Sequence, residues 1–302
     1  MTRPTTATLT TRARTAPLAG TAPLAGTAPL ARTAPLAGTA TLARTATLLA
    51  ALALPSCVGT TGGDLVTFDA FAQGPEDAVA GQPYTFVTSR GYEVTLTRAV
   101  LHIGALYLNR SRPTSVGADT SCFLPGLYVG EVTEGTDIDL LSPDLQPFPI
   151  EGAGTTERAR AAEVWLFGGG DINAPTDPTP ILDVAGTAEK DGVQYPFDGL
   201  ITISQNRAIP PPSAAQPGAN PICKQRIVSP IPVDLTITDG QRLLLRIDPR
   251  GLFRNVRFAD LPLSPTDPTS RHFDDSGQDP ASDALYDGLR SAAGTYSFRF
   301  KE

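Results

Sequence analysis

The sequence predicts an all-β protein, an antiparallel β-sandwich with long proline-rich loops. Three observations predict it. Apolar and polar residues alternate with period two in many short segments, glycine-containing turn pairs separate those segments, and helical periodicity is scarce. About 245 of the 302 residues lie in this pattern, enough for one large β domain.

Residues 1–56 stand apart. They hold five arginines (Arg3, Arg12, Arg14, Arg32 and Arg44) and no Asp or Glu. Six tandem hexapeptides fill residues 15–50, beginning with Thr15-Ala16-Pro17-Leu18-Ala19-Gly20. Such repeats can mark a solenoid, but proline is excluded from helix interiors and the unit offers one leucine to a core. The stretch therefore reads as a low-complexity leader, outside the fold. Losing its five arginines takes the formal charge from −7 to −12. A domain that acidic is repelled by phosphate backbones and anionic head groups, which argues against nucleic acid as a partner.

The end of the leader carries the strongest motif. After Arg44 comes the short apolar run Thr45–Ala53, then Leu54-Pro55-Ser56-Cys57. A positive charge, a short apolar segment and a small residue before a cleavage point make a secretory signal. The run is shorter than the roughly 20 residues a transmembrane helix needs. A cysteine directly after the small residue resembles the lipobox of bacterial lipoprotein precursors. The resemblance implies that the Cys57 thiol carries diacylglycerol, that the chain is cut before it, and that the new amine is acylated. It also implies that the membrane partner is held through covalent lipid such as palmitate. With Val58 rather than Asp next in line, it points to the outer membrane. It covers the leader alone and says nothing of the domain.

Residues 57–63 are Gly/Thr-rich and suit a flexible tether; residues 64–302 form a single domain. Pro83–Thr88 is the first strand read there. After the turn at Ser89-Arg90-Gly91, Tyr92, Val94 and Leu96 alternate with Glu93, Thr95 and Thr97, and Val100–Leu108 continues as one apolar strand. Further strands fall at 127–132, 138–141, 162–167, 181–188, 194–204, 233–238, 243–247 and 296–300. Glu134-Gly135, Asp191-Gly192 and Asp239-Gly240 are hairpin-type pairs, with Asp191-Gly192 closing the clearest hairpin. Short helical stretches are expected at 155–160 and 283–291, and Asp248-Pro249 stops the preceding strand. Two proline-rich loops, 208–221 and 260–280, interrupt the pattern.

Cys122 and Cys223 are the cysteines that remain once Cys57 carries lipid, and an oxidising compartment predicts a disulfide between them. The two histidines are His102 and His272. His102 keeps register with Val100 and Leu106, which predicts a core histidine satisfied by one backbone partner. A metal site would use His102 or His272 with loop carboxylates such as Asp274 and Asp275. No His-x-x-x-His or Cys-x-x-Cys supports one, and the acidic loop lacks EF-hand spacing. Asp171-Ile172-Asn173 with Asp177, after Gly168-Gly169-Gly170, is an oxygen-rich turn that no phosphate-binding Gly-Lys-Ser/Thr follows. No Gly-x-Ser-x-Gly elbow exists, so no catalytic residue is assigned. Asn109-Arg110-Ser111 matches a glycosylation sequon that a bacterial lipoprotein does not use, and Trp165 is expected in core packing. The expectation is a lipid-anchored cell-envelope protein, in the periplasm or on the outer membrane. Its sandwich is a non-catalytic binding or structural module that needs no cofactor. A periplasmic metal-binding protein is the alternative.

Overall fold

The structure is a computed structural model that describes residues 62–112, 128–207 and 221–301. Cys57, the tether up to Thr61, Cys122 and most of the 208–221 loop lie outside these residues. Fifteen strands dominate the described chain. They are β1 (Leu65–Gln73), β2 (Tyr84–Val87), β3 (Glu93–Ile103), β4 (Ala105–Asn109), β5 (Tyr128–Val132), β6 (Thr136–Asp139), β7 (Gln146–Pro147), β8 (Gly152–Thr155), β9 (Arg158–Trp165), β10 (Pro180–Lys190), β11 (Val193–Thr202), β12 (Ile227–Thr236), β13 (Arg242–Ile247), β14 (Arg271–Phe273) and β15 (Tyr296–Lys301). Three short helices join them: α1 (Cys223–Arg226), α2 (Pro249–Leu252) and α3 (Pro280–Leu289). The all-β class holds.

Two sheets pack face to face. The nine-stranded sheet runs β12-β9-β4-β5-β8-β1-β13-β15, with β7 also on β1; the six-stranded sheet runs β14-β11-β10-β3-β2, with β6 also on β3. The antiparallel expectation needs one correction, because β1 pairs parallel with β13 and β11 parallel with β14. Both parallel partners are distant in sequence, so long crossovers join them rather than tight turns. The inner faces share one core, in which Phe68, Leu96, Leu101, Ile138, Val164 and Leu245 are buried. At one end Phe197, Phe253, Phe258 and Phe273 meet edge-on or tilted at 4.9–6.1 Å, with Phe253 and Phe258 stacked at 6.0 Å.

Gly104 decides the topology. The apolar run 100–108, expected as one strand, breaks there into β3 of one sheet and β4 of the other. The Gly104 N–H donates to the Trp165 carbonyl at 2.8 Å, and a Cβ would sit 2.4 Å from the Phe167 ring and carbonyl oxygen. Only glycine lets the chain pass that close. The Asp191-Gly192 hairpin forms as expected, with both residues at positive φ (54° and 77°) joining β10 to β11.

Other expectations change. Thr155–Arg160 is not helical; it ends β8 and begins β9, whose small alternating alanines suit the sheet core. The β12 strand starts six residues earlier than expected, at Ile227, with Pro230 and Pro232 on a sheet-edge strand where missing donors cost little. Within the 260–280 loop, β14 adds an edge strand. An additional strand, β1, precedes those expected, with Val66, Phe68, Ala70 and Ala72 alternating inward. Asn109 ends β4 and is buried, so the sequon is not displayed.

Candidate functional site

On the outside of the nine-stranded sheet, β9 and β4 build a small polar-aromatic cluster. Alternation along β9 sends Ala162 and Val164 into the core and leaves Glu163 and Trp165 on the outer face. Across the ladder Tyr107 lies opposite Glu163, and Ala105 opposite Trp165. The rings follow this register: Tyr107 packs on Tyr128 at 4.7 Å and on Trp165 at 4.5 Å, and Trp165 meets Phe167 edge-on at 5.9 Å. Trp165, Phe167, Ala105, Ile172, Cys223 and Ile227 form an apolar cluster separate from the main core. Trp165 is thus in core packing as expected, in this second cluster rather than between the sheets.

Glu163 is only 3% exposed, yet it sits among these rings. Its Oε2 accepts from Trp165 Nε1 at 2.9 Å and from the Tyr128 hydroxyl at 3.4 Å, and its Oε1 accepts from Ser229 Oγ at 3.0 Å. Three donors satisfy a carboxylate that burial would otherwise penalise heavily. The phenols respond to their surroundings. Burial, with Glu131 and Glu163 adding to it, pushes the Tyr107 hydroxyl above its usual range, and burial with Glu163 nearby raises Tyr128 further. Both stay protonated, which keeps Tyr128 a donor. A lone acid inside the apolar run Glu163-Val164-Trp165-Leu166-Phe167 was the sequence signal for this cluster, and it went unused.

Beside the cluster lies a trough. The sequence of β8, Gly-Ala-Gly-Thr, puts only the small side chains of Ala153 and Thr155 on its outer face, while β1 and β5 on either side carry larger ones. Hydrogens at Gly130 and Gly154 suit the inner face, where a Cβ on either would crowd the Ile237 methyl at 2.8–3.2 Å. The result is a cavity of about 540 Å³ lined by Leu65, Thr67, Tyr128, Glu131, Ala153 and Asp239 among others. Leu65 is 82% exposed at its edge. Asp239 turns one oxygen to the Thr67 N–H at 3.0 Å. Among the described residues, neither Glu131 nor Asp239 forms an ion pair.

The histidines stand elsewhere. Both lie on the six-stranded sheet, and both are held by an aspartate on the neighbouring strand: His102 Nδ1 is 2.6 Å from Asp137 Oδ1, and His272 Nδ1 is 2.5 Å from Asp198 Oδ1. His102 is thus corrected from a core residue with a backbone partner to a partly exposed residue with a carboxylate partner. Leu106 lies beyond Gly104 in the other sheet, so His102 shares no face with it. Three strand steps separate β3 from β14, about 14 Å at the usual spacing, so the two imidazoles do not share a site. The loop carboxylates also have other partners. Asp274 accepts from the Ser276 N–H and hydroxyl, which hold it below the usual range. Asp275 pairs with Arg207 at 2.8 Å and accepts from Thr202. Among the described residues, no group of three His, Cys, Asp or Glu gathers to hold a metal.

The oxygen-rich turn after Gly168-Gly169-Gly170 is structural. Burial alone would raise Asp177, but the Gly168 N–H and both Thr179 donors outweigh it and hold the carboxyl below its usual range. Arg226, fully buried, clips this turn to the rest of the domain. Its Nη1 donates to the Ile172 carbonyl at 2.7 Å and its Nε to the Ile203 carbonyl at 3.1 Å. Cys223, at the start of α1, is fully buried, while its expected partner Cys122 lies outside the described residues.

Compared by sequence, the chain matches no family model and no curated protein. Among solved structures, MbnP from Methylosinus trichosporium aligns with 79% of this chain and 98% of its own, at 11% identity and a TM-score of 0.33. A likeness that slight transfers neither fold nor function.

Proposed function

We propose that the chain is a lipid-anchored protein of the bacterial cell envelope, and that its sandwich is a non-catalytic binding module working through the outer face of the nine-stranded sheet. The observation that carries the binding reading is Glu163. Any apolar side chain would pack among Trp165, Tyr107 and Tyr128 at less cost than a buried carboxylate. A domain that keeps an acid there, with three donors arranged around it and an open trough beside it, departs from the stability optimum where function is expected. The motif at Cys57 supports the anchor. Since β1 starts at Leu65, eight residues further on, the tether reaches about 26 Å at full extension and holds the trough near the membrane.

Trp165 is the only tryptophan in the chain, so its emission reports on this face alone. The full chain, exported and processed by a bacterial host, is screened against small molecules by thermal shift and Trp165 emission. A saturable ligand whose effect disappears in Tyr128→Ala is the expected result. Turnover of any ligand, or no ligand at all, overturns the reading. In the same preparation, radiolabelled palmitate enters wild type but not Cys57→Ala; equal labelling in both would end the anchor.

The alternative, a metal-binding protein, has one observation in its favour. A histidine whose Nδ1 is fixed by a carboxylate presents Nε2 in the manner of metal ligands, and His102 and His272 both do so. Each offers a single imidazole, with no second ligand gathered beside it among the described residues. Stoichiometric copper or zinc retained after dialysis, and lost in His102→Gln or His272→Gln, would favour this alternative.

A further inference from the structure

We infer that the trough over β8 takes a small organic ammonium ion with an apolar tail. The inference rests on the binding reading above and names the ligand class of that face. Shape comes first. At about 540 Å³ the cavity falls within the range of small-molecule sites, and its width follows from the small side chains, Ala153 and Thr155, on the outer face of β8. Its floor and one edge are apolar, formed by Ala153 and Leu65, which suits a short hydrocarbon tail.

Charge comes second, and it is one-sided. Among the described residues, the lining carries two carboxylates, Glu131 and Asp239, and no basic residue. Several acids of this sheet are paired with arginines: Asp234 with Arg158 and Arg160, Asp69 with Arg242, and Glu157 with Arg110. The two trough acids have no such partner among the described residues, and a cation fits beside them. The third feature is Tyr128, an aromatic residue of the lining, of the kind that attracts a cationic head. Glu163 behind that ring adds negative potential and keeps the Tyr128 hydroxyl turned toward itself. Quaternary and primary ammonium ions answer all three features, whereas an anion meets two unpaired carboxylates and a neutral molecule leaves them unused.

The test uses the full processed chain, isothermal titration calorimetry and Trp165 emission. The probes are hexyltrimethylammonium, hexanol and hexanoate, which share a tail and differ in head. Hexyltrimethylammonium should bind saturably and at least tenfold more tightly than either of the others. Glu131→Gln and Asp239→Asn should each weaken it about threefold and together about tenfold, the scale of exposed ion pairs. Asn at 239 keeps an oxygen for the Thr67 N–H, so the fold is preserved, and an unchanged melting temperature confirms it. Raising the salt from 0.05 to 0.5 M should weaken hexyltrimethylammonium and leave hexanol unchanged. Equal binding of all three probes, or cation binding that survives the double substitution, overturns the assignment while the binding module stands. If none of the three binds but the screen finds another ligand lost in Tyr128→Ala, this inference falls alone. If the screen also finds none, both fall.

Discussion

Glu163 shows what one residue contributes to this face. It anchors Trp165 Nε1, the Tyr128 hydroxyl and Ser229 Oγ, and so fixes the Tyr128 ring that lines the trough and the Trp165 ring of the adjoining cluster. Glu163→Gln keeps the shape but replaces one acceptor oxygen with a donor amide that faces other donors. At least one buried donor then loses its partner, so a cost of about 2–3 kcal/mol is expected in urea unfolding, with a blue-to-red shift of Trp165 emission as its packing loosens. Glu163→Gln as stable as wild type, with unchanged emission, would show that the hydrogen bonds do not organise the cluster. At this scale the sequence was partly legible. An acid inside Glu163-Val164-Trp165-Leu166-Phe167 is visible in the chain, but its three donors come from β5, β9 and the start of β12, and only the folded register brings them together. His102 misled for a related reason: periodicity tells which residues share a strand face only while the strand continues, and Gly104 ends it.

At the scale of elements, one glycine and one glycine-rich strand do the shaping. Gly104 lets the chain pass from one sheet to the other against Phe167, and β8 leaves a trough by presenting small side chains. Gly104→Ala puts a methyl within 2.4 Å of the Phe167 ring and carbonyl. The carbonyl is backbone and cannot step aside as a flexible side chain would. The expected loss is about 1–3 kcal/mol, the range for overpacked sites, read as a lower denaturant midpoint at unchanged slope. A wild-type midpoint would mean that β3 and β4 separate freely from Phe167. Alternating strands and the Asp191-Gly192 hairpin were legible because side-chain period and turn chemistry are local properties. The crossover at Gly104, the parallel partners of β1 and β11, and the small-residue strand β8 were not, since each depends on residues far away in sequence. Short strands such as β7 and β14 carry too few residues to show any period.

For the whole molecule, the remaining question is how the segment around Cys122 is tied to the sandwich. Cys223 opens α1, is fully buried, and packs beside Trp165, Phe167 and Ala105, on the face that carries the proposed site. On the proposed export and lipidation of Cys57, the domain would meet an oxidising compartment with Cys122 and Cys223 left to pair. We propose that bond. It would close a loop of about 100 residues, for which the chain-entropy account gives about 4.7 kcal/mol before strain, against measured values nearer 2–4 kcal/mol. The mature chain, digested without reduction, should yield one cross-linked peptide pair holding Cys122 and Cys223. Reduction should lower the denaturant midpoint and weaken whatever ligand the trough takes. Two alkylatable thiols in the native protein would remove the bond. A Cys57–Cys223 pair would remove it and the lipid anchor together, since one sulfur cannot serve both.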